Sequence, residues 1–455
     1  MASTSLIKHL VEVDTPDPIG NQLIRVPPTL RCKPYEFDGT TRYSAAAASV
    51  TIDYDRTDPV TGLPMAKITI PAGNTAFHTI DFYNMSNPWF MRPDDVWMIS
   101  NYTTLKSPDV QIQLMYSDDA SISGTDYRLY SFTGTALIQT GYNILSMLQQ
   151  EEVLGATEYG RVGTSSTTAW QDNNGKNAGT QVRSIRIRVK MVNAAASPTE
   201  IFIGSIHTAP AGWAKAAVMW MADDVPASFV DLVGPIIEDY GWKYTLAVAT
   251  NYANAAAGSI YTTASKAREV YEKGHIIVNH MRQHENMDTS LTADKIRALN
   301  VSGRYWKSVG IPTGHKLLAW PFGAFDAESI ALARQYGFVN GFATNGLGPN
   351  PIAPGINPFA ISRFGIEISN SWRVDSEING AIKRGQGIIT YGHTAVAGGG
   401  DTGAYPGAVR FYVEHLRRWC ELIKSKEEAG ECVVGTPYDI FKLYGIDLNT
   451  DNFAE

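Results

Sequence analysis

Between positions 185 and 191 apolar and charged residues alternate: Ile185, Ile187, Val189 and Met191 are separated by Arg186, Arg188 and Lys190. A two-residue period puts one set in a core and the other in water, which predicts a half-buried β-strand. Val50, Ile52 and Tyr54 alternate in the same way across 49–55. Further strands are predicted over 66–72, 109–117, 127–132 and 200–206, with turn-forming stretches at 58–64 and 171–179 between them. Many short alternating strands joined by polar turns predict an all-β sandwich or jelly roll for residues 1–210.

The rhythm changes after a junction at 208–215. An apolar strand at 216–221 leads into a helix over 227–240, and strand and helix then take turns. Strands are predicted at 244–250, 275–279, 316–320, 338–344, 387–391 and 432–434. Helices are predicted at 262–273, 292–308 with Thr292 as N-cap, 326–336, 374–383, 409–426 and 438–444. Such alternation predicts a parallel sheet, and about seven repeats come near the count of a (β/α) barrel. Residues 211–455 are therefore expected to form a second, α/β domain, in agreement with a 455-residue chain that is long for one core.

Composition narrows the function classes. The net charge of -7 argues against a nucleic-acid partner, which needs a concentrated basic surface. No apolar run approaches the roughly 20 residues of a membrane span. Three scattered cysteines, Cys32, Cys420 and Cys432, predict neither a disulfide framework nor a cysteine zinc site. Residues 1–28 show no apolar run followed by a small-residue cleavage site, so no signal peptide is expected. The protein is then either cytoplasmic or reaches the outside by another route, such as lysis.

In a barrel, chemistry collects at the C-terminal ends of the strands. Asp223 and Asp224 end the first predicted strand, His280 follows the third with His284 four residues on, Trp320 to Gly323 follow the fourth, and His393 follows a later one. Two imidazoles and a carboxylate suit a divalent metal, zinc first among the first-row ions. A second carboxylate can take a proton from water, and a histidine across the site can donate one to a leaving group. Each piece also has a plain structural reading. Asp224-Val225-Pro226 can simply open a helix, His-x-x-x-His pairs are common on surfaces, and a strand-end histidine is usually a satisfied one. The conjunction at successive strand ends outweighs the separate readings.

These residues, in this order, resemble the NodB-homology polysaccharide deacetylases, carbohydrate esterase family four. The family's Thr-Phe-Asp-Asp-Gly is similar to Met221-Ala222-Asp223-Asp224-Val225, and its His-x-x-x-His to His280 through His284. Its Arg-Pro-Pro-Tyr-Gly is similar to Ala319-Trp320-Pro321-Phe322-Gly323, and its Leu-Leu-His ending to Ile389-Thr390-Tyr391-Gly392-His393. The resemblance runs from about Ala216 to Val434. It implies a distorted (β/α) barrel that removes O- or N-linked acetyl groups from a polysaccharide. It further implies Asp223 as general base, Asp224, His280 and His284 as metal ligands, His393 as general acid, and the backbone N–H of Phe322 at the oxyanion. Ala319 stands where the family has the arginine that steadies the base, and Val225 where it has glycine. Arg363 is the candidate replacement for that arginine, and Trp372 and Asp375 lie in the interval of the family's fourth motif, which tunes the acid histidine.

The first half carries no motif. Trp89, Trp97, Tyr102 and Trp170 are candidate sugar-stacking faces, although aromatics in β-domains are more often core. A β-domain ahead of a glycan esterase, with no signal peptide, resembles in architecture the phage tail proteins that modify a host capsule or O-antigen. That association implies an extracellular or virion-associated protein, and a homo-oligomer. The rival reading is a glycan-binding protein with impaired turnover that keeps the deacetylase scaffold, motivated by Ala319. A glycosidase is disfavoured because Asp223 and Asp224 are neighbours rather than opposed across a sugar. Substrate choice is expected from loops 345–358 and 395–404.

Overall fold

The computed structural model describes residues 29–33, 40–44, 49–58, 61–83, 89–92, 94–104, 109–122, 127–132, 138, 141–148, 170–172, 181–224, 226–254, 261–344, 350–351, 357–367, 374–397 and 410–443. The chain divides into two units. The first is Met1–Lys215 with Pro351–Asn357 and Asn379–Gln386; the second is Ala216–Asn350, Pro358–Ile378 and Gly387–Glu455.

The first unit is built on two six-stranded antiparallel sheets. One runs Gly141–Leu148, Val96–Thr103, Thr199–Ala209, Pro64–Ile70, Ser49–Thr57, with Thr29–Cys32 added to Thr199–Ala209. The other runs Trp170–Asp172, Arg128–Phe132, Val110–Ser117, Ser184–Met191, His78–Tyr83, Thr40–Ser44. The alternation that predicted the Ser184–Met191 strand has its physical basis here. Ile185, Ile187 and Val189 enter a core shared with Ile68, Trp97 and Ile201 of the other sheet, while Arg186 turns out to pair with Asp81 across the strands. Full burial of each such side chain stabilises the fold by about 1.5–3 kcal/mol. Strands Val96–Thr103 and Gly141–Leu148 escaped the sequence reading because nearly every residue in them is buried, which hides the period of two.

Two of the sequence's candidate sugar faces are otherwise engaged. Trp97 is fully buried and stacks on Tyr116 at 5.4 Å, and Arg56 lies 3.7 Å over the Tyr102 ring. Trp89 packs against Trp97 at 5.9 Å under Arg31. The side chain of Trp170 lies outside the described residues.

The second unit is a parallel α/β structure. Ala216–Asp223 is buried along its whole length, as a central parallel strand covered on both faces must be. It pairs in parallel with Tyr244–Val248, which pairs with Ile276–Asn279. Single parallel bridges carry the pairing from Asn279 to Leu318 and from Ala319 to Phe342. Phe342–Ala343 pairs with Ile361–Ser362, Phe364–Gly365 with Gln386–Tyr391, and Gln386–Tyr391 returns to Ala216–Asp223. Between these lie the helices Ala264–Glu272, Thr292–Ser308, Ala327–Gln335, Val374–Arg384 and Val413–Glu428.

Several expectations shift. The strand expected at 316–320 is reduced to those two bridges after a 3-10 turn at Pro312–His315, and the one at 338–344 to Phe342–Ala343. Thr292 is the first helical residue rather than the cap; Leu291 precedes it, and the Thr292 hydroxyl donates to Glu328 at 2.7 Å. Asp326, by contrast, caps its helix by accepting the Ser329 N–H at 2.7 Å. Among the described residues no helix is long and apolar enough to cross a membrane.

Candidate active site

The predicted residues converge just past the C-terminal ends of the parallel strands. Asp223 is the last residue of its strand, His280 follows Ile276–Asn279, the Pro321–Gly323 turn follows the Ala319 bridge, and His393 follows Gln386–Tyr391. Backbone strain concentrates in the same place. The non-glycine residues with left-handed φ among those described are Asp224 (57°), Met281 (64°), His284 (61°) and Phe322 (58°). Each costs on the order of 1 kcal/mol or more, so surrounding contacts must enforce it. At Met281 the enforcing group is Asn279. Its Oδ1 accepts the Met281 N–H at 2.7 Å and its Nδ2 donates to Ser302 Oγ at 2.9 Å.

Asp224, His280 and His284 offer ligand atoms that all lie within 4.8 Å of one another. Oδ1 of Asp224 is 3.6 Å from Nε2 of His280 and 3.4 Å from Nε2 of His284. Asp224 Oδ1 and His280 Nε2 are buried with no hydrogen-bond partner in the protein, which is costly unless something else coordinates them. His280 Nδ1 donates to the backbone carbonyl of Ala319 at 2.9 Å, leaving the Nε2 lone pair for a ligand. Burial, and then the neighbouring His280, hold His284 down at about 4, so His284 is a neutral imidazole near neutrality. The donor set fits a divalent ion.

Asp223 is 2% exposed and Arg363 fully buried. The guanidinium grips the carboxylate with two nitrogens: Nη1 donates to Oδ1, and Nη2 to Oδ2 at 2.8 Å. Arg363 sits between Ile361–Ser362 and Phe364–Gly365, which pair with different neighbouring strands, and its Nε donates to the Ala343 carbonyl at 3.2 Å. Burial pushes the Asp223 carboxyl up, but the Arg363 guanidinium and then His280 overcome it and bring it to about 2. Ala319 therefore contributes only backbone: its carbonyl to His280, and its N–H to the Asn279 carbonyl at 2.8 Å.

His393 has its Nδ1 on the carboxylate of Glu367 and its Nε2 3.9 Å from Asp224 Oδ2. Burial pulls the imidazole down, but the Glu367 hydrogen bond and the charges of Asp223, Glu367 and Asp224 raise it above its ordinary value. Asp375 is not the partner of His393. It begins the Val374–Arg384 helix, and its carboxylate is engaged by Arg418 at 2.7 Å. Trp372 lies outside the described residues, as do most of the two loops expected to choose substrate. The sequence reading missed Glu367, though a signal was available: in an extended segment Arg363, Gly365 and Glu367 share a face.

Phe322 is 64% exposed at the tip of a turn closed by Gly323 N–H to the Trp320 carbonyl and Ala324 N–H to the Pro321 carbonyl, both 3.0 Å. Its ring meets His284 edge-on at 4.4 Å. On another side His284 faces Tyr252 at 6.2 Å, and Tyr252 stacks on Tyr261 at 4.2 Å with planes 7° apart. Burial, then the Asp224 charge, push the Tyr252 phenol up to about 12, so it stays protonated. Neither tyrosine carried a signal in the sequence.

A family model described as polysaccharide deacetylase matches residues 213–341. No curated protein matches the chain in sequence. Among solved structures, the chain is similar to the Streptococcus pyogenes deacetylase PplD in complex with acetate, at 18% identity and a TM-score of 0.28 over 31% of this chain and 63% of that one. It thus spans under two thirds of that relative's length. It is also similar to the Xyl-CE4 domain of a multidomain xylanase from the hindgut metagenome of Trinervitermes trinervoides, at 16% identity and a TM-score of 0.34 over 52% and 95%. A third similarity is to a CE4 family pseudoenzyme from Bacillus anthracis, at 14% identity and a TM-score of 0.34 over 50% and 65%. The family match falls on the segment that supplies Asp223, Asp224, His280, His284 and Phe322, and marks a polysaccharide deacetylase domain at residues 213–341.

Proposed function

We propose that the second unit hydrolyses acetyl groups, as esters or acetamides, on a polysaccharide. The observation that carries the reading is the juxtaposition of a three-residue ligand set with a buried, arginine-aligned carboxylate one residue away. Asp224, His280 and His284 would hold the ion, with zinc or another first-row divalent metal suited to the donors. When bound, such an ion supplies a Lewis acid for the acetyl carbonyl and lowers the pKa of water.

The chain's own groups do the rest. Asp223, ionised at any working pH, accepts a hydrogen bond from the attacking water and takes its proton; at about 2 it owes its effect to position more than to proton affinity. Arg363 fixes its orientation. The Phe322 N–H donates to the developing oxyanion. His393, whose pKa the Glu367 hydrogen bond raises, donates from Nε2 to the leaving oxygen or nitrogen. The rival reading, a scaffold with impaired turnover, rested on the missing arginine at Ala319, and the Arg363 contact with Asp223 favours turnover instead.

The return of strand pairing to its starting point supports reading this unit as a distorted barrel. A core shared by two sheets supports reading the first unit as a β-sandwich, whose glycan-binding or attachment role, like virion association, is a proposal from architecture alone. The test is acetate release from a panel of acetylated bacterial and plant polysaccharides, with zinc and with chelator. Release that chelation abolishes is expected; no release from any substrate with any divalent metal overturns the reading.

A further inference from the structure

We infer that Tyr252 is a positioning residue for the metal ligand His284. Stacked between Tyr261 and His284, it does for this imidazole what a hydrogen bond does for His280, and so sets how tightly the site holds its ion. This rests on the metal set proposed above and assigns a role to side chains that are not themselves ligands.

The two histidines are supported differently. A metal-binding imidazole usually has its far nitrogen tied to a carbonyl, a carboxylate or water, which fixes the plane of the ring. His280 has such a tie, Nδ1 to the Ala319 carbonyl at 2.9 Å, and its side chain is 1% exposed. His284 has none among the described residues, its side chain is 14% exposed, and its backbone is left-handed. Its Nε2 nevertheless lies 3.4 Å from Asp224 Oδ1. Rings take the place of the missing hydrogen bond. Phe322 meets His284 edge-on at 4.4 Å, and His280 does so at 4.8 Å with planes 70° apart. Tyr252 alone lies near parallel to the imidazole, at 6.2 Å with planes 22° apart, within the range where aromatic pairs attract. A near-parallel ring is the one that resists tilting of the imidazole plane.

Tyr252 can serve in this way because it is itself held. Tyr261 stacks on it at 4.2 Å with planes 7° apart. The Thr250–Ala253 turn that carries Tyr252 is tied to the histidine loop: Thr250 N–H donates to the Met281 carbonyl at 3.1 Å, Asn251 N–H to that of Arg282 at 2.9 Å, and the Thr250 hydroxyl to the same Arg282 carbonyl at 3.3 Å. Tyr261 is bridged to Pro226, two residues from Asp224. The stack therefore joins the segment carrying Asp224 to the loop carrying His284, two ligands of one ion. A ligand already oriented before the ion arrives lowers the cost of binding it.

The full-length, metal-free chain is titrated with zinc in competition with a chelator, and with cobalt(II), whose visible absorption reports the geometry of its ligands. Tyr252→Ala is expected to weaken zinc binding about tenfold, the lower end of what loss of a ligand's outer support costs, and to change the cobalt spectrum. Tyr252→Phe, which keeps the ring, should match the wild type in both. Tyr261→Ala should weaken zinc binding in the same direction, and gives a second route should Tyr252→Ala fail to fold. A ring that merely packs would lower the Tm of the metal-free chain and leave zinc affinity and the cobalt spectrum unchanged; that result in the alanine variants overturns the assignment. So does an equal loss in Tyr252→Phe, which would place the effect in the hydroxyl. A wild type that binds neither ion overturns the metal set and this role with it. Tyrosine-dependent zinc affinity in a chain that releases no acetate would sink the deacetylase reading and leave the role of Tyr252 standing.

Discussion

Arg363→Met removes the guanidinium and keeps much of the side-chain volume. Asp223 then remains 2% exposed with the two charge-assisted hydrogen bonds to Arg363 gone. Breaking a buried ion pair from one side costs about 3–5 kcal/mol. The depression of Asp223 from 3.8 to about 2 corresponds to about 2 kcal/mol by linkage. The smaller figure counts only the preference for the charged form, while the larger includes hydrogen bonds left unmade, so about 3 kcal/mol at neutral pH is the working value. The sign follows from the depressed folded value. In the wild type this stabilisation is present above the unfolded carboxyl value and is lost as pH falls through about 2. In the variant, burial acts on Asp223 with its main opponent removed, so the carboxyl rises and protonates at higher pH. The stability gap between variant and wild type should then narrow on acidification. Guanidinium denaturation of the metal-free chain, monitored at neutral pH and near pH 4, reads both quantities. A double-mutant cycle with Asp223→Asn isolates the pair. Acetate release should fall about a hundredfold or more as the base loses its alignment. A variant destabilised by less than about 1 kcal/mol, with full activity, would refute the reasoning.

Glu367→Gln should move the alkaline limb of the pH–rate profile to lower pH. His393 is raised above its ordinary value, so its acid form is present at low pH and lost as pH rises through that raised value; weakening Glu367 brings the loss earlier. An alkaline limb that does not move would remove His393 from the acid role. Asp224→Ala and His284→Ala should each abolish stoichiometric zinc binding by calorimetry, and zinc should raise the Tm of the wild type only. Gly341→Ala places a methyl carbon 2.2 Å from Trp320 Nε1 and 2.9 Å from the Phe359 carbonyl. Overpacking there should cost about 1–3 kcal/mol in a denaturation series and, because Trp320 supports the Phe322 turn, should lower kcat as well.

The residues that hold chemistry were easier to read than the strands that carry them. Asp223, Asp224, His280, His284 and His393 announce themselves because reactive side chains at successive strand ends are rare in combination. The strand before Phe322 was misjudged at 316–320 because apolar residues fill both faces of a buried segment, so its length has no periodic mark; pairing leaves only Leu318 and Ala319 bridged. Partners distant in sequence were harder still. Arg363 reaches Asp223 across 140 residues and was named only through the family resemblance; Glu367 reaches His393 across 26 and was missed, its one signal being the face it shares with Arg363 in an extended segment. Asp375 looked suitable by interval, but a helix start opposite Arg418 gave its carboxylate another use. Tyr252 is an ordinary half-buried aromatic until the backbone folds it between Tyr261 and His284.

The left-handed residues around the site also bear on how this protein could be made more robust. Three of them, Asp224, His284 and Phe322, are held by their side chains or backbone to the chemistry, so glycine there would relieve strain and remove function together. Met281 differs: its φ of 64° shapes the histidine loop, while its buried thioether side chain packs with Leu318 and Trp320 in the core beneath. An engineer seeking heat tolerance therefore has little room at this end of the molecule, where relief of strain competes with either catalysis or packing. Hardening should begin in the first unit and the outer helices, where no described non-glycine residue carries left-handed strain.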